Sequence, residues 1–178
     1  MIAEIGHFAL IVALMIALVQ GSLPLVGAAR GNVPWMALGT TAACGSFVFI
    51  ALSFGALTWA HVVSDFTVVN VVQNSNSAKP MLYKVAGVWG NHEGSMLLWV
   101  LILSVYGAAV ALFGFNLPRG LKARVLAVQA WISIGFLLFI LFTSNPFLRV
   151  MPPPPDGNGL NPLLQDPGLA FHPPFLYL

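Results

Sequence analysis

Charged side chains are scarce in this chain. Seven basic and five acidic residues occur among 178, or 7%, whereas 58% of the residues are hydrophobic. An ordinary soluble domain carries roughly 25% charged residues, so these side chains are too few to cover a surface that faces water. A bilayer is an apolar solvent in which long uncharged runs are stable. The composition therefore predicts a membrane protein.

Other patterns are also missing. Cys44 is the single cysteine and lies within an apolar run, so no internal disulfide can form, and we interpret it as a small buried hydrophobe. The basic residues form no stripe with interleaved aromatics, which argues against a nucleic-acid partner. The sequence contains no phosphate-binding glycine loop and no Walker or Rossmann pattern, so nucleotide chemistry has no support.

Four apolar segments are each long enough to cross the roughly 30 Å hydrocarbon core as helices. They cover residues 3–26, 35–60, 94–115 and 124–143. The first could also be a cleaved signal peptide, but Glu4 stands where a basic region would be expected, and the apolar run is longer than usual. We therefore expect a retained helix. The prediction is an all-α polytopic membrane protein, a single transmembrane domain over residues 1–178, with the start of a fifth helix at its end.

Two longer polar segments connect or follow these spans. A loop covers residues 61–93, and a proline-rich tail covers residues 144–174. The β-branched residues between positions 67 and 72 predict some extended chain in the loop. In the tail, residues 144–146 end the fourth helix and residues 152–155 favour polyproline II. Irregular backbone of this kind must lie in water or against protein, because lipid cannot satisfy its polar groups.

The distribution of basic residues predicts the orientation. Four of them lie in or beside the two short loops, namely Arg30, Arg119, Lys122 and Arg124. By the positive-inside rule that side is cytoplasmic. The N-terminus, the loop and the tail then share the opposite side, which in a bacterium is the periplasm. Three basic residues also lie on that far side, so the density of charge in the short loops decides the orientation.

All four histidines fall on the predicted non-cytoplasmic side, namely His7, His61, His92 and His172. His172 has the most informative surroundings, because Pro173 and Pro174 follow it directly. Two prolines disfavour α conformation at His172 and suit the first turn of a following helix, which would place the imidazole at a helix N-terminus. There the helix dipole disfavours imidazolium and leaves a neutral nitrogen for a metal.

The neighbours of His172 allow two interpretations. Phe171, Phe175 and Tyr177 would form an apolar wall suited to a flat macrocycle, and histidine is a common ligand of haem iron. Alternatively, these aromatics form a belt at the membrane interface that happens to include one histidine.

A second group of polar residues precedes the third span. Asn91 is the predicted N-cap, and Glu93 in the first turn complements the helix dipole. Capping does not explain why Trp89, His92 and two glycines occupy the same turn, where a ligand or a neighbouring helix could approach closely. The sequence lacks the second histidine four residues after His92 that a zinc protease needs, which excludes that class.

Three motifs in order resemble one known family. They are Val88-Trp89-Gly90-Asn91-His92-Glu93-Gly94-Ser95-Met96-Leu97-Leu98-Trp99, the upstream Gln73-Asn74-Ser75-Asn76-Ser77 with Tyr83-Lys84, and Asn161-Pro162-Leu163-Leu164-Gln165-Asp166-Pro167 leading to Phe171-His172-Pro173-Pro174. Together they resemble CcmF, the haem lyase subunit of cytochrome c maturation in bacteria and some mitochondria. The resemblance covers essentially the whole chain.

The resemblance implies a multi-pass protein of the bacterial inner membrane, for which the charge distribution predicts a periplasmic N-terminus. Such a protein takes b-type haem from the chaperone CcmE and helps attach it to the Cys-x-x-Cys-His site of apocytochrome c, alongside CcmH-like membrane subunits. It implies that His172 is an axial ligand of the haem iron, with Phe171, Pro173 and Pro174 as its setting. Trp89, His92 and Glu93 match a family motif to which no role is assigned, and no catalytic residue is implied.

The chain also departs from that family. Members continue into a tryptophan-rich segment that cradles haem, a second periplasmic histidine and membrane-buried histidines, none of which occurs here. We therefore expect an N-terminal fragment, a truncated reading frame or one piece of a split protein, catalytically incomplete without the remaining CcmF chain. Two other function classes stay open. A transporter or channel subunit is disfavoured by the few ionisable residues in the spans, and a membrane assembly scaffold would not bind haem.

Overall fold

Helices account for most of the chain in the computed structural model, which describes residues 1–178 apart from the side chain of Leu163. In chain order they are α1 (Ile2–Arg30), α2 (Val33–Val62), α3 (Val69–Asn74), α4 (Met81–Ala86), α5 (His92–Phe113), α6 (Arg119–Phe142) and α7 (Pro167–Leu176), with a 3-10 turn at Pro162–Gln165. The described residues form no β-strand. Helices α1, α2, α5 and α6 are long and apolar enough to cross a membrane, which confirms the all-α polytopic prediction.

The long helices begin and end on local signals in the sequence. Helix α1 ends at Gly31, whose φ of 67° is left-handed and suits glycine. Asn32 then caps α2, its side-chain oxygen accepting a hydrogen bond from the Trp35 backbone N–H at 3.1 Å. Asn91 caps α5 in the same way, accepting from Gly94 N–H at 2.8 Å, as predicted. Helices α1 and α2 extend past both ends of their apolar segments, whereas α5 and α6 begin before theirs and end one or two residues earlier.

The four long helices pack with small residues and a few polar side chains between them. Helix α1 buries alanines and glycines along its length, which allows α2 and α6 to approach closely. Gln20 donates a hydrogen bond from Nε2 to the Leu126 carbonyl at 2.9 Å, and its Oε1 accepts one from the Ser46 hydroxyl at 3.3 Å. Large apolar side chains such as Phe8 point outward, as expected for a protein whose solvent is lipid.

The two ends of this bundle differ in construction. We call the end formed by the short connections 31–32 and 114–118 the turn end. The other, which we call the loop end, contains the N-terminus, residues 63–91 and the tail from residue 143 onward. At the loop end Val68 pairs with Arg149 in an isolated antiparallel bridge. Helix α3 begins directly after it, so the extended chain expected over residues 67–72 is confined to its first two positions. Burial of Asn70 and Val71 explains why packing overrides β propensity there.

The tail contains a helix whose start was predicted wrongly. Helix α7 begins at Pro167, with Asp166 as N-cap accepting a hydrogen bond from Leu169 N–H at 3.1 Å. His172 therefore lies in the middle of α7 and not at a helix N-terminus, and Pro173 and Pro174 lie inside the helix. The argument that a helix dipole keeps the His172 imidazole neutral consequently loses its basis. Asp166-Pro167 is itself a good helix start, and it precedes the two prolines.

Candidate functional site

Helix α7 has one packed face and one exposed face. Ala170 is buried at 3% exposure, and Pro173, Pro174 and Tyr177 follow on the same side of the helix, partly covered. The opposite side presents His172 with three apolar neighbours, namely Phe171, Phe175 and Leu176. Because residues three and four apart are neighbours on a helix, Phe175 and Leu176 lie beside the imidazole. The exposed face of α7 is thus an apolar surface with a single imidazole in it.

Trp89 fixes the packed face of α7 through a hydrogen bond that Pro174 makes possible. In a regular helix the N–H of residue 174 would donate to the carbonyl of residue 170, but proline has no N–H. The Trp89 indole Nε1–H donates to that Ala170 carbonyl instead, at 2.8 Å. A buried carbonyl that would otherwise lack a partner is therefore satisfied from the loop. This gives Trp89 a structural role that the sequence left unassigned.

Trp99 provides the second contact with α7. Its indole stacks on the Tyr177 ring with centroids 5.4 Å apart and planes inclined by 22°. Tyr177 was predicted to line an apolar wall with Phe171 and Phe175, but it lies on the packed face, and only the two phenylalanines share the exposed face with His172. The helical period explains the difference, because Tyr177 lies five residues from His172 and so turns toward the opposite side.

The turn before α5 requires its glycine because two backbone segments meet there. A Cβ on Gly94 would overlap the Val88 carbonyl oxygen. Asn91 holds the turn together: its Nδ2 donates to the Gly87 carbonyl at 2.8 Å, and its Oδ1 also accepts from Asn70 Nδ2 at 2.8 Å. Ser95 donates to the Trp89 carbonyl at 2.6 Å. The motif thus forms a rigid turn that aims Trp89 at α7.

His92 and Glu93 contribute less to this turn. The exposed His92 ring meets the edge of Phe139 with centroids 5.9 Å apart. Glu93 lies in the first turn of α5, as predicted, where a carboxylate complements the helix dipole. Neither residue contacts the exposed face of α7 in any described interaction, so the structure separates the His92-Glu93 pair from the candidate ligand His172.

The other histidines are engaged in the bundle. His61 is fully buried, with Nδ1 3.2 Å from the Leu57 carbonyl. His7 Nδ1 lies 3.1 Å from Asn145 Nδ2. Within the described residues no three histidine, cysteine or carboxylate side chains come together as a metal site. His172, in contrast, is exposed and makes no hydrogen bond or ring contact with any described residue, so neither ring nitrogen has a described partner.

Lys79 is a buried cation that sequence reasoning missed. The side chain is 8% exposed, and its Nζ donates to the Asn74 carbonyl at 2.8 Å. Burial, and to a smaller extent the charge of Lys84, lower the pKa of Lys79 from 10.5 to about 8. The Lys79 ammonium lies close to Asn74 and Gly87, and no local sequence pattern indicates this contact. Lys79 therefore helps to hold the loop on which Trp89 is mounted.

Comparison with known proteins agrees with the motifs. The family model described as cytochrome C assembly protein matches residues 89–178, half of the chain. Over its whole length the chain is 65% identical to the cytochrome c-type biogenesis protein ccl1 of Rhodobacter capsulatus and 52% identical to CcmF of Escherichia coli. It covers 27% and 28% of those two proteins, so it spans little more than a quarter of the length of the curated relatives it matches.

A solved structure has the same fold. The chain superposes on one titled cytochrome c heme lyase CcmF with a TM-score of 0.85 and 25% sequence identity, covering 99% of this chain and 28% of the other. Fold and motifs together define a multi-pass helical membrane protein of the CcmF kind. The chain belongs to the cytochrome c assembly protein family, and the resemblance stated from its motifs is confirmed.

Proposed function

We propose that this chain acts as the amino-terminal part of a haem lyase component in c-type cytochrome biogenesis, and that His172 supplies one axial ligand to the haem in transit. The observation that carries this proposal is the exposed face of α7, where an imidazole without a protein partner stands among Phe171, Phe175 and Leu176. Imidazole nitrogen is a preferred ligand of haem iron, and flat apolar side chains suit a porphyrin.

Haem is the substrate in this proposal and not a resident cofactor. The chaperone CcmE delivers b-type haem to the periplasmic face of the bacterial inner membrane, and apocytochrome c receives it, with CcmH-like membrane subunits assisting. The reactive cysteines belong to the apocytochrome, which is consistent with an apolar environment for the single Cys44. The orientation, with the N-terminus in the periplasm, rests on the four basic residues of the turn end.

The residues of this chain fit half of a haem site. His172 can occupy one axial position, and Phe171 and Phe175 can cover part of one porphyrin face. Pro173 and Pro174 belong to the packed face, and with Trp89 they fix the direction in which the imidazole points. The described residues bring no second free imidazole to this face, so we propose that the remaining CcmF chain supplies the other ligand and most of the burial. Alone, this chain would bind haem weakly and would not complete the attachment reaction.

The proposal is tested by absorbance in the Soret region. The chain is co-expressed with the rest of the CcmF sequence, purified in detergent, and compared with His172→Gly and His92→Ala variants. We expect His172→Gly to lose most of the bound haem and to regain it when free imidazole is added, because the added ligand can occupy the vacated position. His92→Ala is the matched control, because His92 is also an exposed histidine of the loop end but does not belong to α7. This variant should retain its haem.

Two outcomes would contradict the ligand assignment. Unchanged haem content and unchanged cytochrome c maturation in His172→Gly would favour the assembly scaffold that does not touch haem. Loss of haem that imidazole fails to restore would mean that His172 supports the fold and does not bind iron.

A transporter or channel subunit gains no support from the bundle, because the buried Gln20 and Ser46 are hydrogen-bonded across helices and do not form a polar path.

A further inference from the structure

Charge is segregated along the bundle. The five carboxylates of the chain all lie at the loop end, namely Glu4, Asp65, Glu93, Asp156 and Asp166. The turn end carries Arg30, Arg119, Lys122 and Arg124, and no acidic residue accompanies them. Four positive charges without a counter-charge repel one another, and this repulsion is relieved by an anion bound from outside the chain.

A cavity opens at this end between the first turns of α2 and α6. Its volume is about 370 Å³, and it is lined by Val33, Met36, Ala37 and Thr40 on one side and by Arg119 and Lys122 on the other. Val33 and Thr40 are seven residues apart, so the cavity extends about 10 Å along α2. One side of it is therefore apolar and aligned with the helices, while the opposite side is cationic.

The polar groups of the cavity have unused hydrogen-bonding capacity. Lys122 Nζ donates once, to the Ala111 carbonyl at 2.7 Å, which leaves two of its N–H groups free. Arg119 is exposed and makes no hydrogen bond or ion pair with any described residue, and the Thr40 hydroxyl likewise has no described partner. Helix α6 begins at Arg119 without a side-chain cap. The cavity thus offers several donors, and no carboxylate lines it.

We propose that this cavity binds one anionic phospholipid. The phosphate lies between Arg119 and Lys122, where charge-assisted hydrogen bonds are strongest, and an acyl chain follows α2 along Val33, Met36 and Ala37. A free phosphate would use the same cations but would leave the apolar side of the cavity uncovered, so the shape favours a lipid. The site lies at the opposite end of the bundle from His172 and does not depend on the haem proposal.

Native mass spectrometry of the chain in detergent tests this proposal. The probes are palmitoyl-oleoyl phosphatidylglycerol and phosphatidylcholine with the same acyl chains, titrated separately. We expect a one-lipid complex that forms at a several-fold lower concentration of phosphatidylglycerol than of phosphatidylcholine. The double variant Arg119→Gln/Lys122→Gln should weaken phosphatidylglycerol binding by about tenfold or more, because each basic residue near an anionic headgroup contributes about fivefold.

Two further variants separate the cavity from general attraction to the turn end. Arg30→Gln/Arg124→Gln removes the same charge from the same end without lining the cavity, and should change the affinity by about twofold at most. Ala37→Phe keeps every charge but fills the cavity, and should abolish the one-lipid complex. Equal losses in both double variants, or full binding in Ala37→Phe, would overturn the proposal. Displacement of the lipid by equimolar glycerol 3-phosphate would show that the ligand is a phosphate and not a lipid.

Discussion

The loop end and the turn end differ in how far their charged side chains find partners within the chain. At the loop end, segments far apart in sequence are tied by polar contacts: Arg149 pairs with Glu4 at 2.7 Å and with Asp65 at 3.4 Å, and Asp156 accepts hydrogen bonds from Ser77. Hydrogen bonding to Ser77 holds the pKa of Asp156 below its usual range. At the turn end the chain reverses in a few residues, and no carboxylate lies there to pair with its basic side chains. The loop end is thus stabilised by contacts within the chain, while the basic residues of the turn end need an anion from outside the chain.

The largest expected difference between the two ends is in the loss of stability when a glycine in the first turn of a helix is replaced by alanine. Gly94→Ala at the loop end would place a Cβ in overlap with the Val88 carbonyl oxygen, so the backbone must move. We expect a loss of about 3 kcal/mol or more in unfolding free energy, measured by denaturant titration in detergent. Gly120→Ala is the matched control in the first turn of α6, where a Cβ meets nothing within 4 Å, and it should leave stability unchanged or slightly higher. Equal effects of the two substitutions would refute the contrast.

Removing an arginine should also affect the two ends differently. Arg149→Gln breaks the pairs with Glu4 and Asp65 and should cost about 1 kcal/mol, reduced because Glu4 is more than half exposed. Arg124→Gln at the turn end removes a charge without an internal partner and should cost less than about 0.5 kcal/mol. Thermal unfolding at low and high salt measures both. The Arg149 effect should shrink as salt rises, and an effect that does not depend on salt would mean that packing, not charge, explains it.

The hydrogen bond between Trp89 and α7 is tested by a change that keeps the aromatic ring. Trp89→Phe removes the indole N–H and leaves the Ala170 carbonyl without its donor, at a cost of about 1 kcal/mol. Amide hydrogen exchange over residues 167–178 should become several-fold faster, with little change in α1 and α2. Trp59→Phe is the control, because Trp59 is exposed and its indole has no described hydrogen bond. Unchanged exchange in α7 would show that the Trp99–Tyr177 stack alone holds the helix.

The predicted effect of Lys79 depends on pH. Because burial lowers its pKa from 10.5 to about 8, the unfolded chain binds more protons than the folded chain between these two values. Stability contributed by this group therefore rises as pH increases through that window. Lys79→Met should remove the rise, and Lys84→Met should retain it. The midpoint of thermal unfolding at pH 7.5, 9 and 10.5 measures the difference, and parallel profiles for wild type and Lys79→Met would contradict the prediction.

The sequence predicted the parts of the fold that depend on local chemistry. Long apolar runs marked the four helices, and Asn91 and Glu93 marked the start of α5, because a cap and a first-turn carboxylate act within one helical turn. The start of α7 was missed although Asp166-Pro167 is a standard helix start, because the two prolines after His172 favoured a later one. Pro174 is tolerated inside the helix because Trp89, 81 residues before Ala170, replaces the donor that it lacks, and the Leu169 carbonyl opposite Pro173 belongs to an exposed residue. Long-range compensation of this kind cannot be inferred from a single sequence.

The arrangement of side chains around His172 was predicted only in part. His172, Phe171 and Phe175 share one surface, as expected, but Tyr177 does not, because its side depended on where the helix began. The burial of Lys79 and the contact between Trp99 and Tyr177 both arise when the loop and the tail meet, and neither leaves a pattern in its own segment.

The pairing of Pro174 with Trp89 couples the tail to the loop. Helix α7 has a carbonyl, that of Ala170, that its own backbone cannot satisfy, and the indole that satisfies it belongs to the loop. The face that carries His172 therefore depends on a turn 81 residues earlier in the chain. A residue with a backbone N–H at position 174 would supply that donor from within the helix and would weaken the dependence of the imidazole on the scaffold beneath it.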